Sequence, residues 1–350
     1  MPDKNQLDNP ADENLSVEDS IEYKPVSAET PGAHVLKVLI VVAMLAMLGG
    51  GIYLQNQQIA KNREPRKTPD KTGDSKTDNK IVKATFTPPP ADAYLWTKNS
   101  YDPAESIYCR IAPPAGFIRP VLEPDGFANW LRFLPLRPNQ AKVHLYNKSL
   151  KQNQSNHYAV IDLDTGAKNL QQCADCIIRL RAEYLFARNR FSQISFDFAS
   201  GDTLSWDRWA QGYRPKVSGN LVNFARTADA DKSYRNFRKY LETIFMYGNT
   251  ASLAKQTAKV KLPYLRVGDM FIHPAKNRKL GHAVIVVDIA VDKKNNRVAY
   301  LLAQGFTPAM DMHILKNPEN ADLSPWYIIK SDKRLVTPEY HFSPNEAHQF

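Results

Sequence analysis

Cysteine is scarce in this chain, with three in 350 residues: Cys109, Cys173 and Cys176. An odd trio excludes a disulfide scaffold, and at least one thiol has no partner within the chain. Long apolar runs are scarcer still, since only one occurs, and a single run excludes a polytopic membrane protein. Glycine, at 15 residues, is far too sparse for collagen, while a hydrophobic content of 43% excludes wholesale disorder. What remains is room for one or two domains with a core of ordinary size.

The net charge of +10 is unevenly spread. Residues 1–33 carry eight carboxylates against Lys4 and Lys24, with Tyr23 as their one aromatic, so the segment reads as a disordered acidic tail. Residues 35–54 form the apolar run and have no charge from Val38 to Leu54, with Lys37 placed to snorkel at one end and Tyr53 to sit at the other interface. This predicts a single transmembrane helix. A buried core helix would need a domain around it, and a cleaved leader would not have more than thirty residues before its apolar core. Residues 55–90 are polar and end in Pro88-Pro89-Pro90, the composition of a tether. The remaining residues, 91–350, read as one domain. With −6 in the tail, +1 at Lys37 and +4 over residues 55–83, a surplus of +11 falls to residues 84–350.

Within the domain, short elements are expected first: a strand over 106–111, a helix over 127–133 behind Asp125, and strands over 142–146 and 157–162. From Leu170 to Arg188, residues Leu170, Cys173, Ala174, Ile177, Tyr184 and Leu185 fall on one helical stripe, with Arg179, Arg181, Glu183 and Arg188 at polar positions. A second helix is predicted over 231–247, closed by Gly248, with Arg235, Arg238 and Lys239 as a solvated face. Strands follow over 269–273, 282–289, 297–304, 312–315 and 326–329. Helices followed by an antiparallel sheet make the expected fold class α+β.

Three residues combine chemistry across these elements. Cys173 lies within the first turns of the first long helix, where free N–H groups and the helix dipole are expected to favour thiolate. His282, after Gly281, starts an apolar strand and is the candidate base, with the glycine expected to admit a substrate backbone. Gln304 ends the next strand, where an antiparallel pairing brings it beside His282 to orient the imidazole. Nucleophile, base and orienter make the logic of a cysteine triad. The bland alternatives are a buried inert cysteine, a strand-end histidine and a polar strand terminus. Cys173-Ala174-Asp175-Cys176 also has the spacing of a redox pair but lacks that motif's usual context. His144 and His157 stand singly, so no metal site is expected, and no cofactor.

The blocks Asn169-Leu170-Gln171-Gln172-Cys173-Ala174-Asp175, Arg179-Leu180-Arg181-Ala182-Glu183-Tyr184-Leu185, Val267-Gly268-Asp269-Met270-Phe271-Ile272, Gly281-His282-Ala283-Val284-Ile285-Val286-Val287-Asp288 and Leu301-Leu302-Ala303-Gln304 resemble the signature of a bacterial family of unknown function, over about residues 105–350. The Gly268-Asp269 turn and Gly281-His282 also resemble NlpC-type and CHAP-type amidases and endopeptidases. That resemblance implies a papain-like helix and sheet, with Cys173 as nucleophile, His282 as base and Gln304 as third residue. The long interval between Cys173 and His282, holding Trp206, Trp209 and the second helix, is then an insertion expected to shape a cleft.

Two functions compete. One is a membrane-anchored cysteine hydrolase acting on an amide bond in cell-wall peptide. The other is a non-catalytic envelope protein that uses the basic surplus to bind an anionic polymer or protein partner. Nucleic acid is not expected as a partner, because no recognised motif accompanies the charge. Partners are therefore the membrane, through residues 35–54, and peptidoglycan or another anionic envelope polymer. The expected location is the bacterial inner membrane with the large domain on the envelope side, although Lys and Arg cluster after the span and the positive-inside rule taken alone points the other way.

Overall fold

The computed structural model describes residues 86–97, 100–276 and 280–350. The expected tail, transmembrane helix and most of the tether lie outside them. Among the described residues no helix is long and apolar enough to cross a membrane. The fold already includes Phe86 and Thr87: the Phe86 ring lies 4.9 Å from that of Tyr108, and Asn129 Nδ2 donates to the Thr87 carbonyl.

The class is α+β with antiparallel sheets. In chain order the elements are α1 (Ile107–Arg110), α2 (Phe127–Arg132), β1 (His157–Val160), α3 (Cys173–Ala187), β2 (Ser195–Asp197), β3 (Thr203–Ser205), α4 (Trp206–Ala210), β4 (Tyr213–Ser218), β5 (Leu221–Arg226), α5 (Tyr234–Tyr247) and α6 (Thr250–Gln256). Then come β6 (Ala258–Lys259), β7 (Met270–His273), β8 (His282–Asp292), β9 (Arg297–Gln304), β10 (His313–Leu315), β11 (Trp326–Tyr327), β12 (Leu335–Val336), β13 (His341–Phe342) and β14 (Ala347–Gln349). The main sheet runs β1-β10-β9-β8-β7-β14-β6, with β11 also paired to β9. The pairs β2–β3, β4–β5 and β12–β13 stand as separate hairpins.

Strand β8 is central, and its unbroken apolar run fits a strand covered on both faces. Ala283, Ile285 and Val287 enter the main core under the helices, while Val284 and Val286 enter a second core with Phe271, Leu302, Leu335 and Phe342. A bulge between Val286 and Asp288 turns Asp288 inward, where its carboxylate receives Arg119 Nε and Arg132 Nε at 2.6 Å each. Both arginines must be there, because a buried carboxylate without partners is strongly destabilising.

Helix α3 packs on β8, and thirteen of its fifteen residues are buried, so its polar positions need internal partners. Arg179 bonds Asp164 Oδ1 at 2.6 Å and Gln171 Oε1 at 2.7 Å, and it reaches Glu183 at 3.4 Å. Glu183 also accepts from the Tyr234 hydroxyl at 2.9 Å. Arg238, expected on a solvated face, instead pairs with Asp164 at 2.9 Å. Arg235 and Lys239 are exposed as expected.

Other expectations fail for local reasons. Residues 106–111 form helix α1 and not a strand, because the Ser106 side chain caps Cys109 N–H and starts a turn that Tyr108 and Ile107 do not prevent. Residues 142–146 make only isolated bridges through His144 and Leu145. The α2 cap is Gly126, not Asp125. Trp206 and Trp209, expected to line a cleft, are buried core residues of α4. Gly281 gives room to the protein and not to a substrate: a Cβ there would fall on Thr250 Oγ1 and the His273 carbonyl.

Candidate active site

Cys173 is the first residue of α3. The preceding Gln172 is extended, its N–H donates to Asp175 Oδ2 at 3.0 Å, and its carbonyl accepts from Cys176 N–H at 2.9 Å. The first-turn N–H groups of Cys173 and Ala174 therefore lie outside the intrahelical ladder. Those two N–H groups and that of Ala283 lie near enough to the Cys173 sulfur to favour its charged form. Ala283 follows His282 on β8, so the helix start abuts the strand one residue from the imidazole.

The segment before the helix is held by its own polar side chains. Asn169 Oδ1 accepts from Ala309 N–H at 2.7 Å, and Gln172 Oε1 accepts from the Thr307 hydroxyl at 2.9 Å. These bonds staple the loop after β9 to the helix start, where Gly305 lies so close to Cys176 Sγ that a Cβ would collide with it. Much of the block around Cys173 thus has a structural role.

His282 and Gln304 lie on the same sheet face as Val284 and Leu302, as period-2 alternation requires. His282 Nε2 meets Gln304 Oε1 at 2.8 Å. The imidazole sits among aromatic rings, with centroids of Phe306 at 4.9 Å, Tyr340 at 5.1 Å and Phe342 at 5.8 Å. Tyr340 also faces Cys173: burial first, then Glu346 and Cys173, raise its phenol pKa. The structure thus joins His282 to Gln304 directly and joins Cys173 to the adjacent backbone. Among the described residues no hydrogen bond links the Cys173 thiol to the imidazole. All three side chains are enclosed, at 5%, 3% and 0% exposure.

Enclosure sets the charge states. Burial pushes the Cys173 thiol up to about 11, Asp175 adds to the rise, and the three backbone N–H groups only partly oppose it. The expected thiolate at the helix start is therefore a neutral thiol at rest, because desolvation outweighs the dipole. Burial also pulls His282 down to about 4, against the Gln304 bond and the Glu339 charge. A neutral imidazole at neutral pH is the form that accepts a proton. Asp175 is pushed up to about 8 by burial, although Gln172 N–H opposes the shift.

Several residues here escaped the sequence reading. Gln304 Nε2 donates to Glu339 Oε2 at 2.5 Å, Lys151 pairs with Glu339 at 2.6 Å, and the buried His313 stands 3.4 Å from Gln304 Nε2. The one signal for Glu339 was a carboxylate set between Pro338 and the aromatic pair Tyr340 and Phe342. Cys176 is buried and Cys109 exposed, both as free thiols. Among the described residues no cluster of three His, Cys, Asp or Glu side chains is arranged to hold a metal ion.

A cavity of about 400 Å³ lies elsewhere, lined by Arg297, Tyr327, Lys330, Lys333 and Arg334 with Glu319 as its one carboxylate. Arg297, in its lining, begins β9, and Gln304 ends that strand, seven residues or about 23 Å away at the usual rise per residue, while Leu335, also in its lining, pairs with Phe342.

A family model described as "Domain of unknown function (4846)" matches residues 107–349. No curated protein and no solved structure matches the chain.

Asp175 yields a test of sign. Its folded-state pKa lies above the unfolded value of 3.8, so the native state holds the extra proton and stability is lost as pH rises from about 4 through about 8. Asp175→Asn keeps an acceptor for Gln172 N–H and removes the titration. Chemical denaturation should show the variant more stable than the parent at pH 9, with no such gain at pH 4. An equal difference at both pH values would contradict the buried, protonated carboxyl.

Proposed function

The chain belongs to this family of unknown function, and from that premise we propose that it is a cysteine-dependent amide hydrolase acting on cell-wall peptide. The reading rests on one observation: a cysteine on the first turn of a buried helix, against the strand whose first residue is a histidine already oriented by a glutamine at 2.8 Å. On this reading Cys173, His282 and Gln304 serve as nucleophile, base and third residue of a papain-like site. His282 takes the thiol proton, and the sulfur attacks the carbonyl carbon. The N–H groups of the α3 first turn and of Ala283 receive the oxyanion. The imidazolium then protonates the leaving amine, and water, with His282 again as base, clears the thioester. A substrate must displace the Tyr340 and Phe306 rings to reach the imidazole. The proposed setting is the envelope side of the bacterial inner membrane, with residues 35–54 as anchor.

Incubation with muropeptides, read as release of free amines, should show turnover that Cys173→Ala abolishes. His282→Ala should lower the rate by about 10²-fold or more. Turnover that survives Cys173→Ala, or none on any cell-wall amide, would remove this reading.

The basic cavity supports a second reading, in which the domain binds an anionic envelope polymer. Lys330, Lys333 and Arg334 line it, and among the described residues none of them forms an ion pair. On this reading, binding of an anionic glycan should weaken steeply with salt, survive Cys173→Ala, and fall at least tenfold in the triple alanine variant of those residues. Affinity unchanged by the triple variant would dismiss the cavity as the site.

A further inference from the structure

We propose that Glu339 is the positioning residue that decides which nitrogen of His282 carries the proton. The inference rests on the reading of His282 as the base for Cys173. It follows from counting donors and acceptors along one buried chain of contacts.

The chain starts at Lys151, an ammonium group with donors only. Its Nζ meets Glu339 Oε1 at 2.6 Å, and both side chains are largely enclosed. Burial acts to raise the Glu339 pKa, but the hydrogen bond and charge of Lys151 outweigh it and hold the carboxyl below its ordinary value. Glu339 is therefore a carboxylate, with acceptors only. Its Oε2 lies 2.5 Å from the Gln304 side-chain nitrogen. Were the amide reversed, its oxygen would face a carboxylate oxygen at that distance with no proton between them. The Gln304 NH₂ must therefore face Glu339, and its oxygen must face His282.

His313 agrees with this order. Its Nδ1 lies 2.9 Å from the Asp311 carbonyl, which can only accept, so Nδ1 holds the proton and Nε2 is left to accept from Gln304 at 3.4 Å. The Gln304 oxygen, an acceptor, stands 2.8 Å from His282 Nε2, so that nitrogen is the protonated one. Nδ1 keeps the lone pair. Among the described residues nothing hydrogen-bonds to it, and it is the nitrogen left to take the thiol proton.

The fold holds Glu339 firmly enough for this task. It sits in the turn between β12 and β13, where Thr337 N–H and Oγ1 both donate to the Tyr340 carbonyl at 2.9 and 2.8 Å. The same hairpin places Tyr340 and Phe342 against the imidazole. When His282 takes the thiol proton, the Glu339 charge also favours the imidazolium through the amide. Removing the charge leaves Gln304 free to present either end, and His282 then divides between two tautomers, one of which cannot accept from the thiol.

The test is the pair of imidazole ¹⁵N shifts of His282 in the full-length chain labelled with ¹⁵N-histidine, assigned by their loss in His282→Asn. The parent at pH 7 should show protonated Nε2 and unprotonated Nδ1. Glu339→Gln should show both tautomers, and Lys151→Met should move in the same direction and keeps the test open if the first variant fails to fold. Protonated Nδ1 in the parent, or a single unchanged tautomer in both variants, would overturn the proposal. The readout needs no turnover. The expected tautomers in a chain that hydrolyses no amide would uphold the positioning role and remove the hydrolase reading, whereas turnover with protonated Nδ1 would do the reverse.

Discussion

The seating of the α3 N-terminus against strand β8 is the constraint on which the rest of the domain depends. A helix buried on nearly every side cannot leave Arg179 or Glu183 unpaired, so Asp164, Gln171, Tyr234 and Arg238 are drawn in from other segments to meet them. A central strand covered on both faces cannot leave Asp288 unpaired, so Arg119 and Arg132 close over it. Breaking one partner of such a buried pair typically destabilises by about 3–5 kcal/mol. These polar contacts tie α3 and β8 each to its other neighbours, and the packing of the helix on the strand then sets Cys173 beside Ala283.

The same enclosure governs the chemistry. A helix start favours an anion by about 0.3–1 kcal/mol at an exposed site, while each pKa unit corresponds to 1.36 kcal/mol. A thiol carried from 9.0 to about 11 shows that desolvation has exceeded the pull of the helix and its N–H groups. At rest the thiol and the imidazole are thus both uncharged, and Tyr340 and Phe306 pack against the imidazole. On the proposed reading, charge separation awaits a substrate that brings the two groups together.

What could be read in the sequence was what local pattern encodes. Strand β9 is the apolar run 298–303 with one polar residue at each end, and β8 starts at His282, just before its own apolar run. The turn between them carries Asn295 and Asn296, but a regular hairpin through it sets Gln304 opposite Ile285, on the face away from His282; the bulge between Val286 and Asp288, which the pattern does not announce, shifts the register by one and puts Gln304 on the His282 face. Helix α3 was also visible, but its true start at Cys173 depends on the backbone of Gln172 and the Asp175 cap, which apolar spacing does not encode. Non-local facts stayed hidden. The polar positions Arg179, Glu183 and Arg238 look the same in sequence whether they meet water or buried partners. Glu339 joins the site through a hairpin of two-residue strands, too short for any periodicity to show. At residues 106–111 one serine cap outweighed strand-like side chains.

Acyl transfer to Cys173 tests the central claim most directly. The full-length chain incubated with p-nitrophenyl acetate at pH 7 should gain one acetyl group, located on Cys173 by peptide mass mapping, although Cys109 is the exposed thiol. His282→Ala should remove that modification. Acetylation confined to Cys109, or acetylation of Cys173 at the same rate without His282, would contradict a nucleophile and base working as a pair.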